Sequence, residues 1–119
     1  MRKLTKKEEA IMRLFWERGP MFVRELQELY PEPKPHFNTL STQVRTLENA
    51  GFLTHKAYGN SYRYLAVVSE EEYGKTSLNG VVRHYFDNSY LDAVSSLVSE
   101  RKISVEELKD LIARIEKGK

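Results

Sequence analysis

The chain has 119 residues, of which 40% are hydrophobic, and a formal net charge of +2. This length supports one modest core with an appended interaction element, but not two independent domains. The sequence contains no cysteine, which excludes disulfides, thiolate metal sites and cysteine nucleophiles. No apolar run approaches the roughly 20 residues of a membrane span, and the charged N-terminus lacks a signal-peptide core. We therefore expect a soluble, cytoplasmic protein without membrane insertion.

Basic residues are concentrated in the first part of the chain. Residues 1–65 contain 11 Lys and Arg against 7 Asp and Glu, whereas residues 66–119 contain 8 against 10. The local excess is sharpest between Lys34 and Tyr64, where Glu48 is the only acidic residue. This distribution would suit a polyanionic partner, although such an asymmetry on its own is common in solvated domains.

Two helices are predicted before residue 31. Thr5 and Glu8 have the spacing of a capping box, in which a threonine caps the helix and a glutamate three residues later reciprocates. The helix that they begin should run to about Arg18 and end at Gly19-Pro20. A shorter helix should follow over Val23–Tyr30 and should turn its leucines inward.

The most informative stretch is His36–Gly51, which follows a linker with three prolines in five positions. Its apolar residues recur at helical spacing and predict a stripe that faces the core; they are Phe37, Leu40, Val44 and Leu47. Its other face carries short hydrogen-bonding side chains around one arginine: Asn38, Thr39, Ser41, Thr42, Arg45 and Asn49. The residues of this helix predicted to bind DNA are Asn38, Thr39, Ser41, Thr42, Arg45 and Thr46. Such side chains are poor helix formers when exposed, but they suit the base edges of a DNA major groove.

Beyond Gly51 the apolar period changes to two, which predicts a β-hairpin. The strands should be Phe52–Tyr58 and Ser61–Val67, joined by the two-residue loop Gly59-Asn60. This loop places Lys56 opposite Arg63, and two cations in that position repel. An external phosphate would explain the pair better than splaying into solvent, which remains the alternative. The hairpin residues predicted to hold the DNA backbone are Lys56, Tyr58, Asn60 and Arg63.

Three helices followed by a hairpin predict a winged helix-turn-helix domain over residues 1–68. The fold class is mainly α with a small β-hairpin (α+β), and the third helix should enter the major groove while the hairpin forms a wing over the backbone.

Residues 69–119 predict three further short helices, each preceded by a capping serine at Ser69, Ser89 or Ser104. Their apolar stripes exceed what so short a segment can bury, so we expect a dimerisation region that contacts a second copy. Packing of these helices on their own winged domain is the alternative. The residues expected at the dimer interface are Val82, Tyr85, Phe86, Leu91, Val94, Leu97, Val98, Leu108, Leu111, Ile112 and Ile115.

The chain resembles the BlaI/MecI/CopY family of penicillinase and methicillin-resistance repressors from Leu4 to Lys117. The resemblance is carried by the first helix, by the frame of the third helix, by the hairpin and by the two capped junctions. The matching segments are Leu4–Met12 with Phe15-Trp16, Thr39…Thr42…Leu47…Gly51, Tyr62-Arg63-Tyr64, Val68–Tyr73 and Ile103–Leu108.

The resemblance implies a homodimeric transcriptional repressor that binds a palindromic operator on double-stranded DNA. In the family, residues matching Thr39 and Thr42 lie on the operator-reading helix. Some members are inactivated when a membrane-bound sensor protease triggers cleavage at an Asn–Phe bond. The aligned bond here is Ser96-Leu97, which departs from that pattern; it is the candidate cleavage site, with such a sensor as the candidate inducer. The copper-responsive branch has a cysteine-rich motif that this chain lacks, so copper sensing of that type is not expected.

Other functions are less consistent with the sequence. His36, His55 and His84 have no metal-ligand spacing, and no catalytic motif is present, so we expect neither an enzyme nor a metal site or cofactor. A winged-helix module that binds protein would place large apolar anchors on the exposed face of the third helix, where this chain has small polar residues. An activator with the same DNA-binding mode remains an alternative that the sequence does not separate from a repressor.

Overall fold

The computed structural model describes residues 1–118, which form two compact units. The first unit, Met1–Ser77, contains α1 (Lys6–Arg18), β1 (Met21–Phe22), α2 (Val23–Glu28), α3 (Phe37–Asn49), β2 (Leu53–Tyr58) and β3 (Ser61–Ala66). The second unit begins at Leu78 and contains α5 (Tyr90–Ser99) and α6 (Val105–Lys117). Helix α4 (Glu70–Tyr85) begins in the first unit and ends in the second. The predicted mainly α fold with a small hairpin is confirmed.

The unit boundary follows residue 77, whereas the sequence places the functional boundary after residue 68. The first turns of α4 therefore belong to the same compact unit as the winged helix. The assignment of 1–68 to DNA binding and 69–119 to dimerisation is a functional division and remains a prediction.

The first residues of the helices follow the capping residues that the sequence contains. Thr5 Oγ1 accepts from Glu8 N–H at 3.2 Å, and Glu8 Oε1 accepts from Thr5 N–H at 2.9 Å, which completes the capping box of α1. Equivalent reciprocal bonds join Ser69 to Glu72 and Ser104 to Glu107. Gly19 ends α1 with a φ of 82°, a conformation that strongly favours glycine.

The connection from α2 to α3 differs from the prediction at its start. Helix α2 ends at Glu28 rather than Tyr30, because Leu29 and Tyr30 close a tighter turn through bonds from their N–H groups to carbonyls three residues earlier. Lys34 Nζ then donates to the carbonyls of Glu28 and Tyr30 at 3.0 and 2.8 Å. The charge of Lys34 is therefore engaged at the end of α2, where unsatisfied carbonyls favour a cation.

The hairpin has the predicted register. Strands β2 and β3 are antiparallel, with Tyr58 opposite Ser61, Lys56 opposite Arg63 and His55 opposite Tyr64. Strand β1, which was not predicted from the sequence, adds to the other edge of β3 and gives the sheet order β1-β3-β2. Two residues are too few to display a period of two, so β1 carries no sequence signal of its own.

One hydrophobic core joins the helices of the first unit to its sheet. Its buried members come from every element of the winged helix and include the predicted stripe residues Leu40, Val44 and Leu47. Phe37 is the exception, because its side chain is 40% exposed at the first position of α3, beyond the edge of the core. The remaining buried residues are Leu4, Ile11, Met12, Phe15, Met21, Val23, Leu26, Phe52, Leu53 and Tyr64.

Tyr73 fixes the first turn of α4 to this core. Its hydroxyl accepts a 2.8 Å hydrogen bond from the N–H of Leu4, and its ring lies 5.8 Å from Phe52 and 6.1 Å from Trp16 between centroids. Trp16 in turn donates from Nε1 to the carbonyl of Val68 at 2.9 Å. The N-terminal segment and the start of α4 are therefore held by the same aromatic cluster.

Candidate nucleic-acid interface

The polar face of α3 is accessible to a partner. We call Asn38, Thr39, Ser41, Thr42, Arg45 and Thr46 the reading face. Ser41 is half-buried and the other five are exposed. Leu40, Val44 and Leu47 anchor the opposite face in the core, so the orientation of the helix is set by burial. The structure thus exposes the side chains that the sequence predicts as base readers.

Hydrogen bonds within α3 determine what some of these side chains can offer. Thr42 Oγ1 donates to the carbonyl of Asn38 at 2.9 Å, and Thr46 Oγ1 donates to the carbonyl of Thr42 at 3.0 Å. Because their protons are used inside the helix, both hydroxyls remain acceptors, and each threonine also has a methyl group. A base amino group or a thymine methyl would suit them.

Arg45 keeps most of its donors free. Its Nε makes a long 3.4 Å bond to the carbonyl of Ser41, and no carboxylate lies within 4.0 Å of its guanidinium among residues 1–118. The two terminal nitrogens can therefore form the paired hydrogen bonds by which arginine recognises O6 and N7 of guanine.

The hairpin, which we call the wing, has two exposed and unneutralised cations. Lys56 and Arg63 lie directly opposite each other, and neither has a carboxylate within 4.0 Å in the part of the chain that the structure describes. Tyr58 and Asn60 are also exposed at the end of the wing. Like charges at this spacing repel, and an anion between them would relieve that repulsion.

A groove of about 780 Å³ lies between the reading face and the wing. We call it the reading groove. It brings together the predicted readers Asn38, Ser41 and Arg45 and the predicted wing residues Tyr58 and Asn60. The other predicted DNA-binding residues do not line it; they are Thr39, Thr42, Thr46, Lys56 and Arg63.

The groove also contains residues that the sequence analysis did not select. Arg24 projects from α2, and its guanidinium carbon lies 5.6 Å from the centroid of the Phe37 ring. Phe22 is in edge contact with Tyr58, with centroids 5.8 Å apart. Local charge does not mark this cation, because Glu25, Glu28 and Glu32 accompany it in the sequence, and its place beside α3 depends on how α2 packs. The remaining lining residues are Val23, Glu25, Glu28, Ser61, Tyr62 and Tyr64.

The second unit exposes most of its apolar stripe. Of the predicted dimerisation residues, Val82 is buried, with only 2% of its surface exposed, and Phe86, Val98 and Leu108 are half-buried. The exposed members are Tyr85, Leu91, Val94, Leu97, Leu111, Ile112 and Ile115. Ser96 and Leu97, the candidate cleavage site, lie inside α5.

Three helices, a proline-rich entry to the third helix and an adjoining hairpin with unpaired cations define a winged helix-turn-helix protein of the DNA-binding class. The chain belongs to the penicillinase repressor family, because the family model described as "Penicillinase repressor" matches residues 4–117. It is accordingly a DNA-binding transcriptional regulator of a repressor family, and the resemblance seen in the sequence is confirmed. A comparison with curated proteins returned no match.

Among residues 1–118, no group of three or more His, Cys, Asp or Glu is arranged to hold a metal ion. Within the same part of the chain, no helix combines the length and apolar character needed to cross a bilayer.

Proposed function

We propose that this protein is a homodimeric repressor that binds a palindromic operator. The observation that supports DNA binding most directly is the reading groove, which readers of α3 and the end of the wing line together within the first compact unit. In this proposal the reading face addresses base edges, with Arg45 as the residue that discriminates most strongly. Lys56, Tyr58, Asn60 and Arg63 hold the phosphate backbone.

Homodimerisation is supported by the second unit. Helix α6 exposes Leu111, Ile112 and Ile115 to between 48% and 54%, and α5 exposes Leu91 to 82%. Contiguous apolar residues of this kind usually mark an interface. A second copy would cover them and would place two reading helices about a twofold axis, as a palindromic site requires.

Selection of bound duplexes from a random pool tests this function most directly. We expect the full-length protein to recover an inverted repeat whose half-sites lie roughly one helical turn apart, about 10 base pairs. Recovery of a single unrepeated half-site would contradict the twofold arrangement. Failure to enrich any sequence would contradict operator recognition and would favour a protein partner, for which the exposed aromatic rings of Phe37 and Tyr58 would be the anchors.

Repression is distinguished from activation by a reporter placed under a promoter that carries the selected site. We expect expression of the protein to lower the reporter signal, and an Arg45→Ala variant to lower it less. An increase in signal would identify an activator with the same DNA-binding mode.

Induction by proteolysis requires a local structural change. The Ser96-Leu97 bond lies within α5. The Ser96 carbonyl accepts a hydrogen bond from the N–H of Glu100, and the Leu97 carbonyl accepts from the N–H groups of Lys102 and Ile103. A protease acts on extended chain, so α5 would have to open before a membrane-bound sensor system could cleave this bond. Mass spectrometry of the protein from induced and uninduced cells tests this directly; an intact chain under full induction would exclude cleavage as the inducing step.

A further inference from the structure

The side chain of Arg24 in α2 lies over an aromatic ring at the start of α3. It has a glutamate one helical turn later, Glu28, with which an exposed helical arginine would ordinarily pair. Instead, Arg24 has no carboxylate within 4.0 Å among residues 1–118, and its guanidinium lies over the ring of Phe37. The positive charge therefore remains unneutralised while the side chain is oriented by an aromatic ring.

This arrangement leaves the hydrogen-bonding capacity of Arg24 available. A guanidinium that stacks on an aromatic ring uses its face and keeps its N–H groups at the edge. Within residues 1–118, Arg24 donates no side-chain hydrogen bond; the arginines that do are Arg2 and Arg45. A stacked guanidinium with free edges is suited to a ligand that accepts two parallel hydrogen bonds, as a phosphate does.

Arg24 lies beside the reading helix, where the DNA backbone would run. Arg24 lines the reading groove together with Asn38, Ser41 and Arg45, but it comes from α2 rather than from the reading helix. If α3 occupies a major groove, its own side chains meet base edges and a neighbouring helix meets the sugar-phosphate strand that borders the groove. Glu25 and Glu28 in the same lining would repel an anion, so Arg24 is the group of α2 that would hold a phosphate there.

We infer that Arg24 binds a backbone phosphate beside the first turn of α3, and that Phe37 positions its guanidinium for that contact. This inference rests on the proposed operator binding and adds a phosphate-binding point on α2 to those of the wing cations. Phe37 is a positioning residue and does not itself need to touch DNA. Its exposure at the start of α3, which its apolar character does not favour, is explained by this role.

Equilibrium binding of full-length variants to a selected duplex and to a random duplex of equal length tests the role of Arg24. Arg24→Ala should weaken binding to both duplexes by about tenfold. It should also make the negative slope of log K against log salt shallower, by about 0.9 per protomer. Arg13→Ala, at an exposed position of α1 outside the groove, is the matched control and should change neither quantity. Arg24→Lys keeps the charge but loses the planar fork, so its affinity should be intermediate.

Phe37→Leu tests the positioning role, because it keeps an apolar side chain but removes the ring. Alone, it should weaken binding to both duplexes by roughly two- to fivefold while the salt slope is unchanged, since the cation remains. In the Arg24→Ala background it should have no further effect. An equal loss in both backgrounds would overturn the positioning role. Thermal unfolding of each variant verifies that the fold is retained.

The outcomes separate this inference from the function on which it rests. If the unaltered protein prefers its selected duplex and Arg24→Ala behaves like Arg13→Ala, only the assignment of Arg24 is overturned. A loss confined to the selected duplex would mean that Arg24 reads a base, which also overturns the backbone contact. If the unaltered protein does not discriminate between the duplexes, the proposed operator recognition fails as well.

Discussion

Nδ1 of His55 lies 2.5 Å from Oε2 of Glu48, so a side chain of the wing is in contact with a side chain of the reading helix. The imidazole is also stacked on Tyr62, with ring centroids 4.2 Å apart and planes inclined by 19°. Both partners of the contact are only partly exposed. The contact connects the two parts of the proposed interface directly and fixes the wing relative to α3.

A double-mutant cycle measures the strength of this contact. His55→Gln and Glu48→Gln should each lower the free energy of unfolding, and their coupling energy should be about 1 kcal/mol because the pair is partly buried. The matched control is Glu71 and Lys75, whose side chains are 3.1 Å apart but 78% and 72% exposed. Urea unfolding should give a smaller coupling energy for that pair, about 0.3 kcal/mol. Equal coupling in the two pairs would argue against a structural role for His55.

Arg45 should account for a large part of sequence preference. Arg45→Ala should reduce discrimination between the selected duplex and a duplex with the recognised guanine replaced, by about 1–3 kcal/mol if the contact is bidentate. Binding to random duplex should change much less. Competition binding with single-base variants measures both quantities, and Arg18→Ala is a control arginine outside the groove. An equal loss on all duplexes would assign Arg45 to the backbone instead.

The cations of the wing should have opposite effects on folding and on binding. Lys56→Ala removes a like-charge neighbour of Arg63 across the hairpin, so it should raise the free energy of unfolding by a few tenths of a kcal/mol, about 0.2–0.5. The same change should weaken binding to every duplex alike and make the negative slope of log K against log salt shallower by about 0.9 per protomer. Thermal unfolding and salt-dependent binding provide the two measurements. Lys109→Ala, in α6, is the control.

Glu8 should make the stability of the first unit depend on acid pH. Arg2 donates two hydrogen bonds of 2.8 and 2.7 Å to this buried carboxylate, and with the Thr5 cap they lower its pKa from 4.5 to about 2. Because the pKa is lowered in the folded state, the stabilisation is complete above about pH 4.5 and is lost as the pH falls toward 2.

Glu8→Gln preserves a capping side chain but removes the charge, so its stability should fall less steeply than that of the unaltered protein across this window. At neutral pH it should be less stable by about 1 kcal/mol. Urea unfolding between pH 7 and 2 makes this comparison, with Glu9→Gln as the control for a half-buried first-turn carboxylate. Parallel stability curves for the unaltered protein and Glu8→Gln would show that the ion pair contributes nothing.

The exposed stripe of α6 should control assembly. Ile112→Glu places a charge on a half-exposed apolar position, which would be desolvated in an interface and should shift the protein toward a single chain. Lys109→Glu introduces the same charge elsewhere on α6 and should leave the assembly intact. Sedimentation at micromolar concentration distinguishes them. A single-chain mass for the unaltered protein would contradict dimerisation itself.

Local chemistry allowed much of the fold to be predicted. The loop Gly59-Asn60 fixes the pairing of the wing because a strand period of two permits only one register for a given loop. Gly59 has a φ of 61°, which this loop requires. Serine and threonine caps likewise specify where α1, α4, α5 and α6 begin, because each side chain satisfies amide groups that the helix leaves unpaired.

The remaining features depend on packing between distant segments. The stacking of Arg24 on Phe37 arises from the way α2 lies against α3, which no spacing in the sequence specifies. The same is true of β1, which exists only because β3 offers it a pairing edge. Periodicity assigned Phe37 to the core because it follows the stripe, but it does not show where the core ends.

The bond between Leu4 and Tyr73 has a practical consequence for handling this protein. An affinity tag or a deletion at the N-terminus would act on the residues that fasten the first turn of α4, and loosening them would alter the segment that leads into the second unit. Binding measured with a purification handle placed before Met1 should therefore be compared with binding after its removal.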